Sequence, residues 1–576
     1  MAINPTQLRP FKTGVPATVQ AITLAAPTGG IDTRSALASM SGDNSIYSYN
    51  LTVQEGAVAV RPGYREWALG LDNGVTANLG VKTLIPHTTA GFDSLWAVTN
   101  EGIWNVTNYN TAPVQELSPN QTGTPANDWT IVTEDAGYGV FTALAADNGD
   151  EYVFYADSKN GLFVRNLTTP TTPLWERTTF SAAGASDPAV DNSLINFVVV
   201  HKQRLWFAEQ DSSHAHYAGI GAVTGNVEAF FFGSKFKYGG GLAGLFNWTV
   251  DGGAGVDDYL VAVGEGGDLI PYKGIDPTQA DWANVGSYYI GKPPIGGNFA
   301  SEYAGELYFL SSFGVIAMSD ILKGVDLGDS NRNPNSLSFL ITKVIRKDVS
   351  QRGTQYGWQM AFVPSRGDLI ICTPSKDINN PIQYVLNLSL GAWSYWRDIP
   401  MTSFVDWQGR LFIGATVPTS PQESGKVAIM DVARDNVLIT PPVGTQNGSN
   451  IDFSILSSFS KLGQDAVYKR VQYVRSDFLA VTKPVTEVKT LYNYDINEPT
   501  RTDSTEAANN YPVGAWDVDD WDAAIWGAGL YDPAKDAVSG GYDMGRTVAI
   551  ALRGSSGVAC TFIGWDISWI AGQYAL

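Results

Sequence analysis

Polar turns followed by runs of aliphatic and aromatic residues recur along this chain, and they set its architecture. The copies are Asp93–Val98, Glu151–Phe154, Gln203–Ala208, Asp258–Val263, Gly305–Leu310, Gly367–Ile371 and Gly409–Gly414. They are spaced about 42 to 62 residues apart, the length of a four-stranded propeller blade. Many are followed by a Gly- or Asn-containing turn and a second short run, as in Asn100–Trp104, Asn160–Val164, Gly266–Ile270, Phe313–Ala317 and Gly425–Ile429. Tight hairpin turns require positive φ, which a β-carbon disfavours, so these residue types mark strand reversals. Helical periodicity with caps is almost absent, whereas strand-like runs such as Phe197–Val200 and Tyr384–Leu388 are common. The pattern predicts an all-β fold, a large irregular β-propeller of six or seven blades. A string of separate sandwiches would also give short, evenly spaced strands, but the blade-length period favours the propeller.

Two flanks break the pattern. Residues 1–45 carry Pro5, Pro10, Pro16 and Pro27 and the polar stretch Asp32–Ser35, and read as an extended arm. From Pro441-Pro442 the repeat stops, and Phe453–Leu456 and Val471–Val474 read as strands of a separate β domain. The expected organisation is an arm over 1–45, a propeller over 46–440 and a C-terminal β domain over 441–576 with a Trp-rich insertion at 512–530.

A chain of 576 residues exceeds what one ordinary core supports, in keeping with a repeat architecture plus an extra domain. The formal net charge of −20 repels phosphate and acidic membrane, which excludes a protein that grips duplex DNA in the ordinary way. Cys372 and Cys560 lie far apart, and Cys372 ends an apolar run, so buried thiols are expected rather than a disulfide. Met1–Pro5 lacks the basic stretch and apolar core of a signal peptide, and no apolar run approaches the ~18 residues of a membrane span. Synthesis in cytoplasm-like conditions, with no membrane partner, is the expectation.

Candidate chemistry is sparse. Trp516, Trp521 and Trp526 are interleaved with acidic residues, but the central Gly and terminal Glu of a calcium loop are missing. The indoles are expected to clamp an irregular loop by burying area. His214-Ala215-His216 could supply half of a zinc site, yet no Cys or third His is nearby, and solvent-facing loop histidines are expected. Tyr238–Gly241 is a Gly cluster without the Lys and Ser/Thr of a phosphate cradle, and no nucleophile elbow, zinc-protease helix or dinucleotide fingerprint occurs. The weak basic clusters, Lys343, Arg346, Lys347 and Arg352 and then Lys469-Arg470, are expected on solvated faces or against acidic neighbours. No catalytic, cofactor-binding or metal residue is assigned, and the chain is not expected to be an enzyme. The rival is a carbohydrate-active or glycan-binding propeller, a depolymerase or receptor-binding protein, because paired carboxylates can come from distant loops.

Gly30–Ser35 leading to the turn Arg61–Arg65, and then Leu95–Trp104, resembles the nozzle, or tail tubular B, proteins of short-tailed bacteriophages. Leu386–Ser394 and the Trp-Asp repeats at 516–527 are similar too, so the motifs are spread over nearly the whole length. The positions the resemblance carries over are Asp32, Arg34, Arg61, Pro62, Gly63, Trp96, Gly102, Trp393, Trp516, Trp521 and Trp526, all as structural residues. It implies a ring of six subunits beneath the adaptor that joins portal to tail, with propellers outside, a central DNA channel and distal loops that gate the exit. It further implies that the arm and C-terminal domain form a platform, with tail fibres or spikes as further partners and the tail of the virion as location. Acidity suits such a conduit, since a channel that repels phosphate lets double-stranded DNA pass without sticking. A monomeric peptide-binding propeller explains neither the arm nor the extra domain, and fold alone does not choose among these roles.

Overall fold

The computed structural model describes residues 19–574 apart from 72–79, 90–91, 120–128, 170–173, 252–255, 325–335, 375–381, 418–423, 442–446, 466, 482–483, 498–503, 507–537 and 540–542. The chain divides into two compact units, Arg61–Ser449 and a second one made of Met1–Val60 with Asn450–Leu576.

Arg61–Ser449 is a seven-bladed β-propeller. Seven sheets follow one another, antiparallel except where Phe180–Ala182 pairs parallel with Gly225–Phe231 in the third, and their first strands are Thr83–Thr89, Gly139–Ala145, Ile195–His201, Leu242–Asp251, Ala300–Tyr303, Gln359–Val363 and Met401–Trp407. Each first strand touches the next sheet in turn, and Met401–Trp407 touches Thr83–Thr89, which closes the circle. The seventh sheet takes its fourth strand, Gly63–Leu71, from the beginning of the unit, so the first and last parts of the propeller chain share one sheet. The fifth blade has three strands among the described residues, followed by the helices Met318–Leu322 and Thr342–Arg352.

The seven apolar repeats of the sequence are the second strands of the seven blades: Phe92–Thr99, Glu151–Asp157, Arg204–Glu209, Val256–Gly264, Glu306–Ser311, Asp368–Cys372 and Arg410–Val417. A strand in this position is covered on both faces by neighbouring sheets, so it reads as a continuous apolar run; Leu95, Trp96, Ala97 and Val98 are all fully buried. The packing is shared between blades. Trp96, Leu117, Val153 and Phe163 join the first to the second, Leu84, Leu95, Val427 and Ile429 the seventh to the first, and Ile370, Val385, Ile413 and Ala428 the sixth to the seventh. At roughly 1.5–3 kcal/mol per large apolar side chain buried, these inter-blade contacts dominate the stability of the ring.

The second unit is a two-sheet sandwich. One sheet orders Val538–Ser539, Val467–Ala480, Cys560–Tyr574, Ala57–Val60 and Leu51–Gln54, with Val19–Ala25 also paired to Cys560–Tyr574. The other holds Gly30–Ile31, Asn44–Tyr49, Ile451–Ser457, Val548–Ser556, Val485–Tyr492 and Ser504–Glu506. Phe453, Ile455 and Leu552 from one sheet pack on Val471, Phe478, Phe562, Trp565 and Trp569 from the other.

The boundaries differ from those expected. Asn44–Tyr49, Leu51–Gln54 and Ala57–Val60 belong to the sandwich, because Tyr47, Ser48 and Tyr49 pair with Leu456, Ile455 and Ser454, and Ala59 and Val58 pair with Thr561 and Phe562. The propeller therefore begins at Arg61 rather than at 46. It ends at Ser449 rather than at 440, since bridges from Val437 to Arg65 and from Asp435 to Ser449 hold that stretch to the last blade. Part of the proline-rich arm is a strand: Val19–Ala25 runs antiparallel from Ile570 to Gly564.

Candidate functional site

The residues that carry the family resemblance sit at joints. Arg61, with its side chain fully buried, donates to both carboxylate oxygens of Asp435 at 2.8 and 2.6 Å and to the carbonyls of Pro62 at 3.1 Å and Arg397 at 3.4 Å. A β-carbon on Gly63 would collide with the backbone of Arg434, so only glycine fits beside that clasp. Trp96 of the first blade donates its indole N–H to Glu116 Oε2 at 2.9 Å, and Trp175 of the second blade donates to the same oxygen at 3.1 Å. Asn105 holds Oε1 at 2.9 Å, while Arg165 pairs with Glu116 and lies 5.0 Å over the Trp96 ring. One buried carboxylate thus bolts two blades together, and burial pushes the Arg165 guanidinium down to about 10.

Gly102 has φ +126°, and a β-carbon there would strike the Leu117 carbonyl. Trp393 donates to the Leu337 carbonyl at 2.7 Å. In the sandwich, Asp32 Oδ1 accepts the backbone N–H of Arg34 at 2.8 Å and of Ser35 at 2.9 Å, and Oδ2 accepts from Asn44 at 3.3 Å. Burial raises the Asp32 carboxyl, but its hydrogen bonds to Ser35, Arg34 and Asn44 outweigh that and hold it below the usual range. Trp516, Trp521 and Trp526 lie outside the described residues.

The geometry able to hold a ligand lies at the axis of the propeller. Tyr138 precedes the first strand of the second blade and Tyr356 that of the sixth, yet their rings stack at 6.0 Å and 14°. Lys82 lies 5.2 Å over the Tyr138 ring and Lys159 5.3 Å over the Tyr356 ring, so four side chains form one cation–aromatic column. Burial, followed by the charges of Asp135, Asp157, Asp211 and Glu265, pushes the Tyr356 phenol up to about 12 and keeps it protonated at neutral pH. Beside the pair, the segment Lys292–Asn298 leads into the fifth blade and reaches the second, where Asn298 donates to the Gly139 carbonyl at 3.1 Å. Gly297 permits this, because a β-carbon there would press on Val140 and Phe197.

A cavity of about 270 Å³ opens here, lined among others by Tyr138, Asn196, Gln210, Asp211, Glu265 and Lys292. A second, of about 430 Å³, is walled by first strands through Leu84, Phe141, Ser301, Gln359, Ala361 and Val405. Asn298 lines the second cavity and Gly297 the first, so backbone passes between them. Among the described residues no group of three or more His, Cys, Asp or Glu is placed to hold a metal ion.

The histidines differ from expectation. His214–Ile220 is a strand of the third blade, with Ala215 paired to Phe230 and His216 to Ala229. His214 and His216 share a face with ring centroids 5.0 Å apart, and His216 is fully buried against Phe207 at 5.5 Å. Of the basic clusters, Lys343, Arg346, Lys347 and Arg470 are exposed as expected and Arg352 is half-buried, whereas Lys469 departs from a solvated face. Lys469 is buried and donates to the carbonyls of Gln464, Val467 and Arg546 at 2.6, 3.0 and 2.9 Å. Lys343, Arg346, Lys347 and Arg352 lie on the helix Thr342–Arg352, where Arg352 pairs with Asp348 at 2.9 Å and Arg346 sits 5.8 Å over the Phe313 ring. Sequence reasoning missed Glu116, Asp435 and the Tyr138–Tyr356 pair; the one local signal was Pro293-Pro294 followed by Gly296-Gly297, which marks an irregular connection.

The fold defines the class, an all-β protein with a seven-bladed propeller and a sandwich built from both ends of the chain. No family model matches the chain, and no curated protein matches it. Two solved structures to which it is similar are crystal structures of BBS1N in complex with ARL6DN. The one soaked with mercury shows 10% identity over 65% of this chain and 98% of that chain, with a TM-score of 0.34. The one soaked with lead shows 9% identity over 45% and 74%, with a TM-score of 0.27.

Proposed function

We propose that this protein is a structural component of a short-tailed phage tail, a nozzle subunit that forms a ring continuing the DNA channel below the adaptor. In this role it retains the packaged genome and opens for ejection. The observation that carries the reading is the chain's path: one closed propeller is inserted, through Arg61–Ser449, into a sandwich made of the two chain ends. That is the organisation expected of an outer propeller on a platform. The described motif residues support it further, because Arg61, Gly63, Trp96, Gly102 and Trp393 hold blades and turns and none of them lines the two axial cavities. With the Tyr138–Tyr356 stack and Asn298 reaching across the propeller axis, DNA would run along the axis of the ring and not through a propeller.

The test is the mass of the full chain in solution, alone and with a candidate adaptor ring, by light scattering or native mass spectrometry. A closed ring of about six copies supports the proposal, as head-to-tail interfaces that close give cyclic symmetry. A chain that stays strictly monomeric in both samples overturns it.

A further inference from the structure

We propose that the axial mouth of the propeller is a saccharide-binding site that takes one hexose-sized ring. Tyr238, the start of an aromatic platform, is not part of the lining of the 270 Å³ cavity, but the backbone of Tyr238 and Gly239 packs on Gly266, the neighbour of Glu265 in that lining. Tyr238 is 61% and Tyr289 38% exposed, and their rings lie 4.2 Å apart at 37°. Large aromatics left open in this way on a loop surface are costly to hydrate, and they suit ligands with an apolar face and polar edges. The platform is held in place: the Tyr238 N–H donates to Asp268 Oδ2 at 2.8 Å, and Phe313 meets the Tyr289 ring edge-on at 5.7 Å.

Glycines set the acceptors at the rim. Gly241 N–H donates to Glu265 Oε2 at 2.9 Å, and the Glu265 N–H returns a bond to the Gly241 carbonyl at 2.9 Å. A β-carbon on Gly240 would lie 3.1 Å from Glu265 Cβ and one on Gly241 3.2 Å from the Asp211 carbonyl carbon, so the bare backbone lets both acidic residues approach. Asn196 also lines the cavity, and its Oδ1 is buried without a protein partner.

The mixture of groups selects the ligand class. Asp211 and Glu265 accept hydrogen bonds, while Lys292 and Gln210 donate. An anion would want donors only, and a cation would want acceptors without the lysines Lys82, Lys159 and Lys292 around it. Sugar hydroxyls donate and accept from the same carbon, which matches both halves of the set. The cavity is slightly smaller than the ~300 Å³ at which ligand pockets usually begin, so one ring enters and the remainder of a glycan lies on Tyr238 and Tyr289.

The experiment is saturation-transfer NMR on the full-length protein with D-glucose, D-galactose and N-acetyl-D-glucosamine, alongside tetramethylammonium and inorganic phosphate. At least one sugar is expected to bind with a millimolar Kd, and Asp211→Ala or Tyr238→Ala to weaken it about ten-fold or more. Both side chains are exposed, so an unchanged melting temperature will show that the variants remain folded. The proposal is overturned if none of the three sugars binds, if only the ammonium ion or phosphate binds, or if sugar binding is the same in both variants. The readout needs no ring, so it stands apart from the nozzle assignment.

Discussion

Arg61 and Asp435 meet through two parallel hydrogen bonds of 2.8 and 2.6 Å at the place where the chain enters and leaves the propeller. Ring closure already shares a sheet between Gly63–Leu71 and Ser424–Val432, and this bidentate pair locks the same seam with a desolvated charge on each side. Removing one partner leaves the other buried without its counter-charge, which costs about 3–5 kcal/mol, whereas an apolar pair of similar volume restores much of that. Arg61→Ala and Asp435→Ala should each lower the unfolding free energy of the propeller by this much, read as a lower urea midpoint at unchanged slope, and Arg61→Met with Asp435→Leu should recover most of it. Singles that lose nothing would show the seam to be held by the strand pairing alone.

Glu116 collects Trp96, Trp175, Asn105 and Arg165 on one carboxylate. Glu116→Ala should cost about 3–5 kcal/mol by the same reasoning, since a buried guanidinium loses its counter-charge. Glu116→Gln keeps one acceptor oxygen and should cost less. Urea unfolding followed by tryptophan fluorescence reads both, because two of the orphaned donors are indoles.

The blades were readable because each second strand is sandwiched between sheets and so writes a continuous apolar run, as Leu95–Val98 and Leu369–Cys372 do. The sandwich strands at 44–60 were not, because Tyr47 and Val58 owe their place to Leu456 and Phe562, partners far along the chain that leave no local mark. The helices of the fifth blade escaped for a different reason. Neither Met318–Leu322 nor Thr342–Arg352 has a side-chain N-cap bond, so the usual start signal is missing. Tyr138 and Tyr356 each look like an ordinary loop tyrosine, and only closure of the ring stacks them.

Cys372 and Cys560 are free and buried, and burial pushes both thiols up to about 12. A thiol so far from ionisation is a poor nucleophile. Native protein at pH 8 should therefore take up almost no thiol reagent, and both cysteines should react at once in denaturant. Rapid labelling of Cys372 without denaturant would mean that the seam between the sixth and seventh blades opens, since Cys372 packs there with Ile413 and Ala428.

His216 makes stability depend on pH in a direction that follows from its burial. Desolvation first, and then the neighbouring His214, push its imidazole down to about 4 from an ordinary value of 6.5, while Asp187 acts weakly the other way. Glu209 also faces it, with Oε1 3.8 Å from Nε2, and burial holds that carboxyl above its usual range. The folded state therefore keeps His216 neutral while the unfolded chain binds a proton below pH 6.5. Its contribution is complete above that pH and is lost progressively as the pH falls toward 4. With 1.36 kcal/mol per unit, the loss from this one group amounts to about 3 kcal/mol. His216→Phe preserves an aromatic ring against Phe207 and has nothing to protonate, so its urea midpoint should fall less steeply than that of the natural chain between pH 6.5 and 4. Parallel curves for the two proteins would show that His216 does not titrate in that window and that other groups, such as the depressed His201 and His214, carry the acid sensitivity.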